Sequence, residues 1–238
     1  ALQEPAAAVI LETVPATAGF PRPSADYLPA VRRLCDDAGA LYIADEVQTG
    51  LGRSGQMWAV GHFGVQPDIL VTGKGLSGGI YPIAATLLND RAGQWLQTDG
   101  WAHVSTFGGA EPGCRVAERV LDLTERAIPD LAAAIEAWRD GLAALQRAYP
   151  QWIREVRQTG LIIGVRFAHE AGGMLMTRLM FDQGVWAMFA GFDRSVLQVK
   201  PGLLMTTADR EQVLAAFDRA CAAAVALWWC GQNFVDIA

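Results

Sequence analysis

Three short apolar runs, each ending in a functional side chain, most constrain what this chain can fold into. Residues 6–11 lead into Glu12, residues 41–44 into Asp45, and residues 69–72 into the pair Gly73-Lys74. Short apolar runs closed by glycine or a polar group read as buried strands. Between them lie a Pro- and Gly-rich loop over 14–24, helical spacing over 27–38 (Leu28, Val31, Leu34, Cys35) and a short helical stretch over 57–64. Strands that alternate with helices predict an α/β domain with a mainly parallel sheet. Ligands of such sheets gather at the carboxyl ends of the strands, so Glu12, Asp45 and Lys74 are expected to face one crevice.

The second half is patterned differently. After a strand over 83–88, helices are expected over 113–126 and 130–149, the second broken by Pro150. Strand signals follow in 161–167 and near 196–199, then a closing helix from 208 to about 228. This order predicts a smaller α+β domain, with the boundary near 127–130 and domains of 1–127 and 128–238. No internal repeat or low-complexity linker interrupts either part.

Composition narrows the class. Of the 238 residues, 52% are hydrophobic, enough to bury a sizeable core. No apolar run approaches the ~20 residues of a membrane span, and no signal-like segment opens the chain. The net charge of −6, without a basic stripe, argues against a nucleic-acid partner. Cys35, Cys114, Cys221 and Cys230 are scattered and histidines number three, which points to neither a disulfide framework nor a metal site. A soluble, cytoplasmic protein is the expectation. Because a strand begins almost at residue 1, the chain reads as a piece with something missing in front.

The strand ends suggest chemistry. A lysine with an apolar approach on one side is partly desolvated, which lowers its pKa and frees the amine for Schiff-base formation. An aspartate ending a second strand stays ionised beside a cation. Together they suit a pyridine aldehyde cofactor, with lysine on the aldehyde and aspartate on the ring nitrogen. Blander readings stand beside this one. Asp45 and the glycines after it also fit an ordinary strand-to-loop turn, and a lysine between Gly73 and Gly75 also fits a solvated loop. A phosphate-binding GxxxxGK loop is ruled out, because Asp68 stands five residues before Gly73.

Three motifs in order carry a resemblance: Asp45-Glu-Val-Gln-Thr-Gly-Leu-Gly-Arg53, then Pro67-Asp-Ile leading to Gly73-Lys74, then His103-Val-Ser-Thr106-Phe-Gly-Gly109. With this spacing the chain resembles the class III aminotransferases, pyridoxal-phosphate enzymes of fold type I that include the ornithine, acetylornithine and 4-aminobutyrate enzymes. The run Val156-Arg-Gln-Thr-Gly-Leu-Ile-Ile-Gly164 resembles the first strand of their C-terminal domain. The resemblance implies that residues 1–127 are the later part of a cofactor-binding large domain and 128–238 the small domain. Lys74 would form the Schiff base and shuttle the proton, and Asp45 would pair with the ring nitrogen. Val47 would pack on a ring face and Gln48 would lie near the phenolic oxygen. Thr106, with Ser105 beside it, would reach the cofactor phosphate of a partner subunit, making the active unit a homodimer. Glu12 matches the glutamate that opens the family's Glu-Pro-x-Gln-Gly-Glu stretch.

Departures from the family pattern are informative. Where many members read Gln-Gly-Glu this chain has Pro15-Ala16-Thr17, so Thr17 takes the place of a glutamate that pairs with a carboxylate-binding arginine. Gln198, in Leu197-Gln198-Val199-Lys200-Pro201-Gly202, stands at the arginine's place. A neutral amide cannot supply the bidentate charged contact that an arginine gives a carboxylate. Lys200, two residues on, shares a strand face with Gln198 and is a candidate substitute, or a solvated strand-end lysine. The family also carries a further domain's worth of chain before the first strand, with a glycine-rich phosphate loop and an aromatic residue stacked on the ring.

Transamination between an amine or amino acid and a 2-oxo acid or aldehyde is the function this implies. A lyase on a phosphorylated amine, an amino-acid racemase or epimerase, and an inactive dimerising fragment are the alternatives. His62, His103 and His169 are read as structural, and Arg53 as a brace for its loop. Arg154, Arg157 and Arg166 flank a strand in solvated or ion-paired roles. Trp186, Met188 and Phe189 read as buried, and Trp228, Trp229 and Phe234 as packing residues.

Overall fold

A computed structural model describes residues 6–229 of the chain. Two compact units result, 6–13 with 23–128 and 14–22 with 129–229. The first unit carries a mainly parallel sheet and the second a separate antiparallel one.

The first unit is built on a four-stranded sheet, β1 (Ala8–Glu12), β2 (Leu41–Asp45), β3 (Ile69–Thr72) and β4 (Ala85–Leu88), paired in that order. The first three strands are parallel and β4 is antiparallel to β3. Helix α1 (Tyr27–Ala38) connects β1 to β2. Leu28 and Cys35, two turns apart on it, are fully buried against Tyr42 and Ala44 of β2, with Val31 packed beside them. Leu34, expected on the same face, is exposed, so the buried stripe is narrower than its spacing suggests. A 3-10 helix, Ala59–Phe63, occupies the stretch expected to be helical, and Val60 joins the core. The strand expected over 83–88 starts only at Ala85. Helix α2 (Asp90–Thr98), which the sequence reading missed, is started by Asn89, whose side chain accepts from the Ala92 N–H at 2.9 Å. Helix α3 (Glu111–Ala127) completes the unit.

One carboxylate pins the amino-terminal end of this sheet. Asp68, just before β3, is buried and accepts from Arg32 of α1 at 2.7 Å, the Tyr42 backbone N–H at 2.8 Å and the Asn89 side chain at 2.9 Å. Burial pushes its pKa up, but these donors outweigh burial and hold the carboxyl below its ordinary value. Three segments thus converge on one anion, and the Arg32 guanidinium also lies 5.9 Å from the centre of the Tyr42 ring.

In the second unit, α4 (Leu131–Ala148), α5 (Gly172–Asp182) and α6 (Thr207–Trp229) accompany an antiparallel sheet of order β5-β6-β8-β7. Its strands are β5 (Ile153–Thr159), β6 (Ile162–Phe167), β7 (Met188–Phe189) and β8 (Val196–Val199). The run 156–164, expected as one strand, is instead a hairpin: Thr159 pairs with Ile162 across Gly160 and Leu161, and Gly160 takes φ 62°. A two-residue hairpin loop demands positive φ, which glycine adopts without strain. Consequently Arg157 and Arg166 lie within strands, not beside one. Helix α5 is masked in the sequence by the pair Gly172-Gly173. A side chain at Gly173 would meet the Val196 backbone at 2.5 Å, so glycine here permits close packing of helix on strand. Trp152, Phe167 and Phe217 form an aromatic centre with ring centroids 5.2 and 6.4 Å apart. Trp186 and Met188 are exposed, contrary to expectation. The side chains of Trp228 and Trp229, and residues Cys230 and Phe234, lie outside the described residues. Among the described residues, no helix is long and apolar enough to cross a membrane.

The Asp68 cluster makes stability pH-dependent. Because the folded carboxyl titrates below its ordinary 3.8, the stabilisation is complete above that pH and is lost as pH falls through the folded value. Asp68→Ala is expected to cost about 3–5 kcal/mol at neutral pH, with the deficit shrinking in acid. Urea unfolding of the intact protein across that range measures it; a deficit that stays constant down to about pH 3 would rule out the linkage.

Candidate active site

Parallel pairing sets the geometry. Glu12 is in register with Asp45, and Asp45 with Val71, so the carboxyl ends of β1, β2 and β3 lie side by side. Lys74 follows Val71 by three residues and opens a single 3-10 turn, Lys74–Ser77. The expected convergence of Glu12, Asp45 and Lys74 at one sheet edge is therefore present in the first unit.

Asp45 is half-buried, and its Oδ1 accepts from the Val47 N–H at 3.0 Å, a tight turn that starts the loop after β2. Val47 and Gln48 are half-buried in the same turn. Its neighbour Gly50 is closely packed: a Cβ there would stand 2.7 Å from the Trp58 ring and 2.8 Å from the Glu46 carbonyl. Arg53 is half-buried in the loop. Lys74 is exposed, not desolvated by its apolar approach, and has φ 46°, the left-handed region that non-glycine residues rarely adopt. Leu51, also left-handed at φ 56°, sets its Cδ1 3.4 Å from where a Cβ on Gly75 would stand. From the other side α3 packs on the turn, with Val116 and Val120 within 3.4 Å of a Cβ placed on Gly78. The lysine is thus carried on a supported, strained turn.

Ser105 and Thr106 lie in an exposed irregular segment, where Ser105 Oγ accepts from the Gly108 N–H at 3.0 Å. They are flanked by Trp101 and Phe107, 84% and 81% exposed, an unusual display for large apolar side chains.

Thr17 and Gln198 both belong to the second unit. Thr17 is exposed, and its carbonyl accepts from the Phe192 N–H at 2.8 Å. Gln198 is buried in β8; its amide donates to the Ala16 carbonyl at 2.9 Å, and its Oε1 accepts from Lys200 Nζ at 2.8 Å. Sharing a strand face, as expected, has let the lysine reach the amide. Arg157 donates to the Gly19 carbonyl at 3.1 Å while paired with Glu155 at 3.0 Å, and Arg166 reaches the same carboxylate at 2.9 Å. The hydrogen bond from Arg157 is the foremost reason that the Glu155 carboxyl sits below its ordinary value. Gly164 is required because the Gly19 carbonyl lies against it. Arg157 also reaches the Ala18 carbonyl at 3.4 Å, so loop 14–22 is tied at four successive residues, Ala16 to Gly19.

The residue that sequence reasoning missed is Glu46. It is 1% exposed, and its carboxylate accepts from the Thr13 and Thr49 hydroxyls at 2.7 and 2.6 Å and from the backbone N–H groups of Ala59 and Val60 at 3.1 and 2.8 Å. Its only signal in the sequence was a charged residue beside Asp45 at a strand end. Among the described residues, no three His, Cys, Asp or Glu side chains form a cluster that could hold a metal ion.

Two substitutions test the local geometry. With the left-handed strain relieved, Lys74→Gly is expected to be about 0.5–1 kcal/mol more stable than Lys74→Ala in thermal unfolding of the cofactor-free protein. Gly164→Ala should destabilise by about 1–3 kcal/mol, because its methyl meets backbone that cannot move freely; unchanged stability would mean that loop 14–22 is not held there.

Similarity to known proteins identifies the family. The family described as aminotransferase class-III matches residues 1–221. An uncharacterized aminotransferase of Archaeoglobus fulgidus is 44% identical over 207 residues, which cover 86% of this chain and 49% of that protein. The putrescine aminotransferase of Pectobacterium atrosepticum is 38% identical over 210 residues, covering 87% of this chain and 45% of that protein. The ornithine aminotransferase of Toxoplasma gondii, solved with PLP partly occupying its active site, superposes with a TM-score of 0.79 at 29% identity, covering 91% of this chain and 51% of that one. The chain spans about half the length of the curated relatives it matches. It belongs to the class III aminotransferases, a family of pyridoxal-phosphate-dependent enzymes.

Proposed function

We propose that this chain is the later part of an aminotransferase that moves an amino group between an amine or amino acid and a 2-oxo acid or aldehyde. The observation that carries the reading is the register that sets Glu12, Asp45 and the strand leading to Lys74 at one sheet edge. The donor set fits pyridoxal phosphate, since a carboxylate and an amine leave neighbouring strands and match the cofactor's ring nitrogen and aldehyde. When bound, the cofactor supplies an electrophilic aldehyde carbon and a ring that takes up the electron pair of a substrate C–H bond.

Lys74 Nζ would hold the cofactor through its aldehyde carbon, and as a free amine would serve as the base that carries a proton to and from the substrate Cα. Its exposure leaves the amine able to reach both positions. Asp45 holds the proton on the ring nitrogen, its orientation set by the Val47 N–H. Val47 covers a ring face and Gln48 contacts the phenolic oxygen. Ser105 and Thr106 reach the cofactor phosphate of a second copy in a homodimer, a role supported by the exposed Trp101 and Phe107 beside them. Residues 1–127 act as the cofactor-binding domain and 128–238 as the small domain, except that loop 14–22 packs with the later residues.

Glu12, Thr17 and Gln198 contact substrate. Gln198 brings no charge of its own, which favours a donor that is not gripped by a bidentate carboxylate clamp. A diamine is such a donor, and one relative is named for putrescine.

The test uses the full-length protein with pyridoxal phosphate, its visible spectrum recorded before and after borohydride reduction. Reduction should fix the cofactor covalently in the wild type and not in Lys74→Ala. In a separate, unreduced sample, addition of a diamine should convert the bound cofactor to its amine form, which a lyase or racemase would not leave behind. Equal trapping by Lys74→Ala would sink the assignment of the lysine.

A further inference from the structure

Beside Asp45 stands a buried group that the proposed reaction does not use. Glu46 combines four donors on its carboxylate with two backbone bonds: its N–H donates to the Val71 carbonyl at 2.9 Å, and its carbonyl accepts from the Gly50 N–H at 3.0 Å. One residue thereby connects the end of β1 through Thr13, the turn after β2 through Thr49 and Gly50, the 3-10 helix at Ala59 and Val60, and β3 at Val71. Burying a carboxylate is costly unless every oxygen is well supplied with donors, and here each oxygen has two. An apolar residue of similar size would fill the same space but could not order those donors around a single point.

Neighbouring residues of a strand face opposite ways, so Glu46 enters the core while Asp45 points to the other face. Between them they leave the turn no freedom: Glu46 anchors it from inside, and the Val47 N–H orients Asp45 from outside. We infer that Glu46 is a positioning residue, which holds the turn over 45–50 so that the Asp45 carboxylate meets the cofactor ring nitrogen in one orientation. This rests on the roles proposed above for Asp45 and Lys74. Gln at position 46 keeps the size but presents an NH2 group to donors that need acceptors, so at least one of the four bonds is lost and the turn loosens.

The experiment compares full-length holoenzymes of wild type, Glu46→Gln, Asp45→Asn and Leu28→Ala, the last a buried core change on α1. Thermal midpoints and the pH titration of the bound cofactor's visible absorbance are both recorded. Asp45→Asn should shift the titration midpoint most. Glu46→Gln should shift it in the same direction, by up to about one pH unit, the size of one misplaced hydrogen bond. Leu28→Ala should lose thermal stability without moving the midpoint. If Glu46→Gln fails to fold, Thr49→Val removes a single donor, and a smaller shift in the same direction is expected. A lowered thermal midpoint with the titration unmoved, in either variant, would reduce Glu46 to a stability residue and overturn the inference. If Asp45→Asn itself leaves the titration unmoved, the reading of Asp45 fails first and the inference falls with it; retained trapping on Lys74 identifies that case.

Discussion

Parallel pairing of β1, β2 and β3 is the constraint on which the candidate site depends. Only in a parallel arrangement do three strands deliver their carboxyl ends to the same edge, and only there can the residues after them share a crevice. The register Glu12 to Asp45 to Val71 is the direct expression of that rule. An antiparallel order would have sent the lysine and the aspartate to opposite ends of the sheet.

Two buried carboxylates hold this sheet from its two ends. Asp68 gathers α1, β2 and the start of α2 at the amino-terminal edge; Glu46 gathers four segments at the carboxyl edge. Each is supplied by backbone N–H groups as well as side chains, so its donors are geometrically fixed and cannot drift away from it. Buried anions of this kind are not cheap stability, since apolar packing often serves as well. What they contribute is direction, because hydrogen bonds to an anion specify where a turn sits and apolar contacts do not. That the carboxyl-edge anion adjoins Asp45 links the energetics of the fold to the proposed chemistry.

The loop that holds Thr17 is fixed by different physics. Loop 14–22 is held by carbonyl oxygens: Ala16 to Gln198, Thr17 to the Phe192 N–H, Ala18 and Gly19 to Arg157. These donors grip the backbone, while Val14, Ala16 and Phe20 are buried with Ile162 and Thr17 stays exposed. Position 17 can therefore vary without loosening the loop. Gln198 in turn is committed to Ala16 and Lys200, which fixes a neutral amide in contact with a lysine at that position.

Local order was legible wherever short-range pattern dominates. Helix α1 begins and ends at the residues its apolar spacing indicates, β3 spans the same four residues, and α4 stops before Pro150. The motif around Asp45 and Lys74 pointed to the family, and the family implied the cofactor. Elements governed by partners distant in sequence were not legible. The hairpin at Gly160 read as one strand, α5 was hidden by glycines that serve packing on Val196, and the exposure of Trp186 and Met188 escaped composition altogether. Glu46 looked like one more charge beside a strand end, because its meaning lies in donors from residues 13, 59 and 60. By itself, then, the sequence determined which residues could carry the chemistry, since periodicity and motif spacing are properties of neighbouring residues. Tertiary structure alone decided that Lys74 is exposed on a left-handed turn, that Glu46 is the buried anchor and that 14–22 packs with residues far along the chain. Burial and hydrogen-bond partnership arise only when distant segments meet.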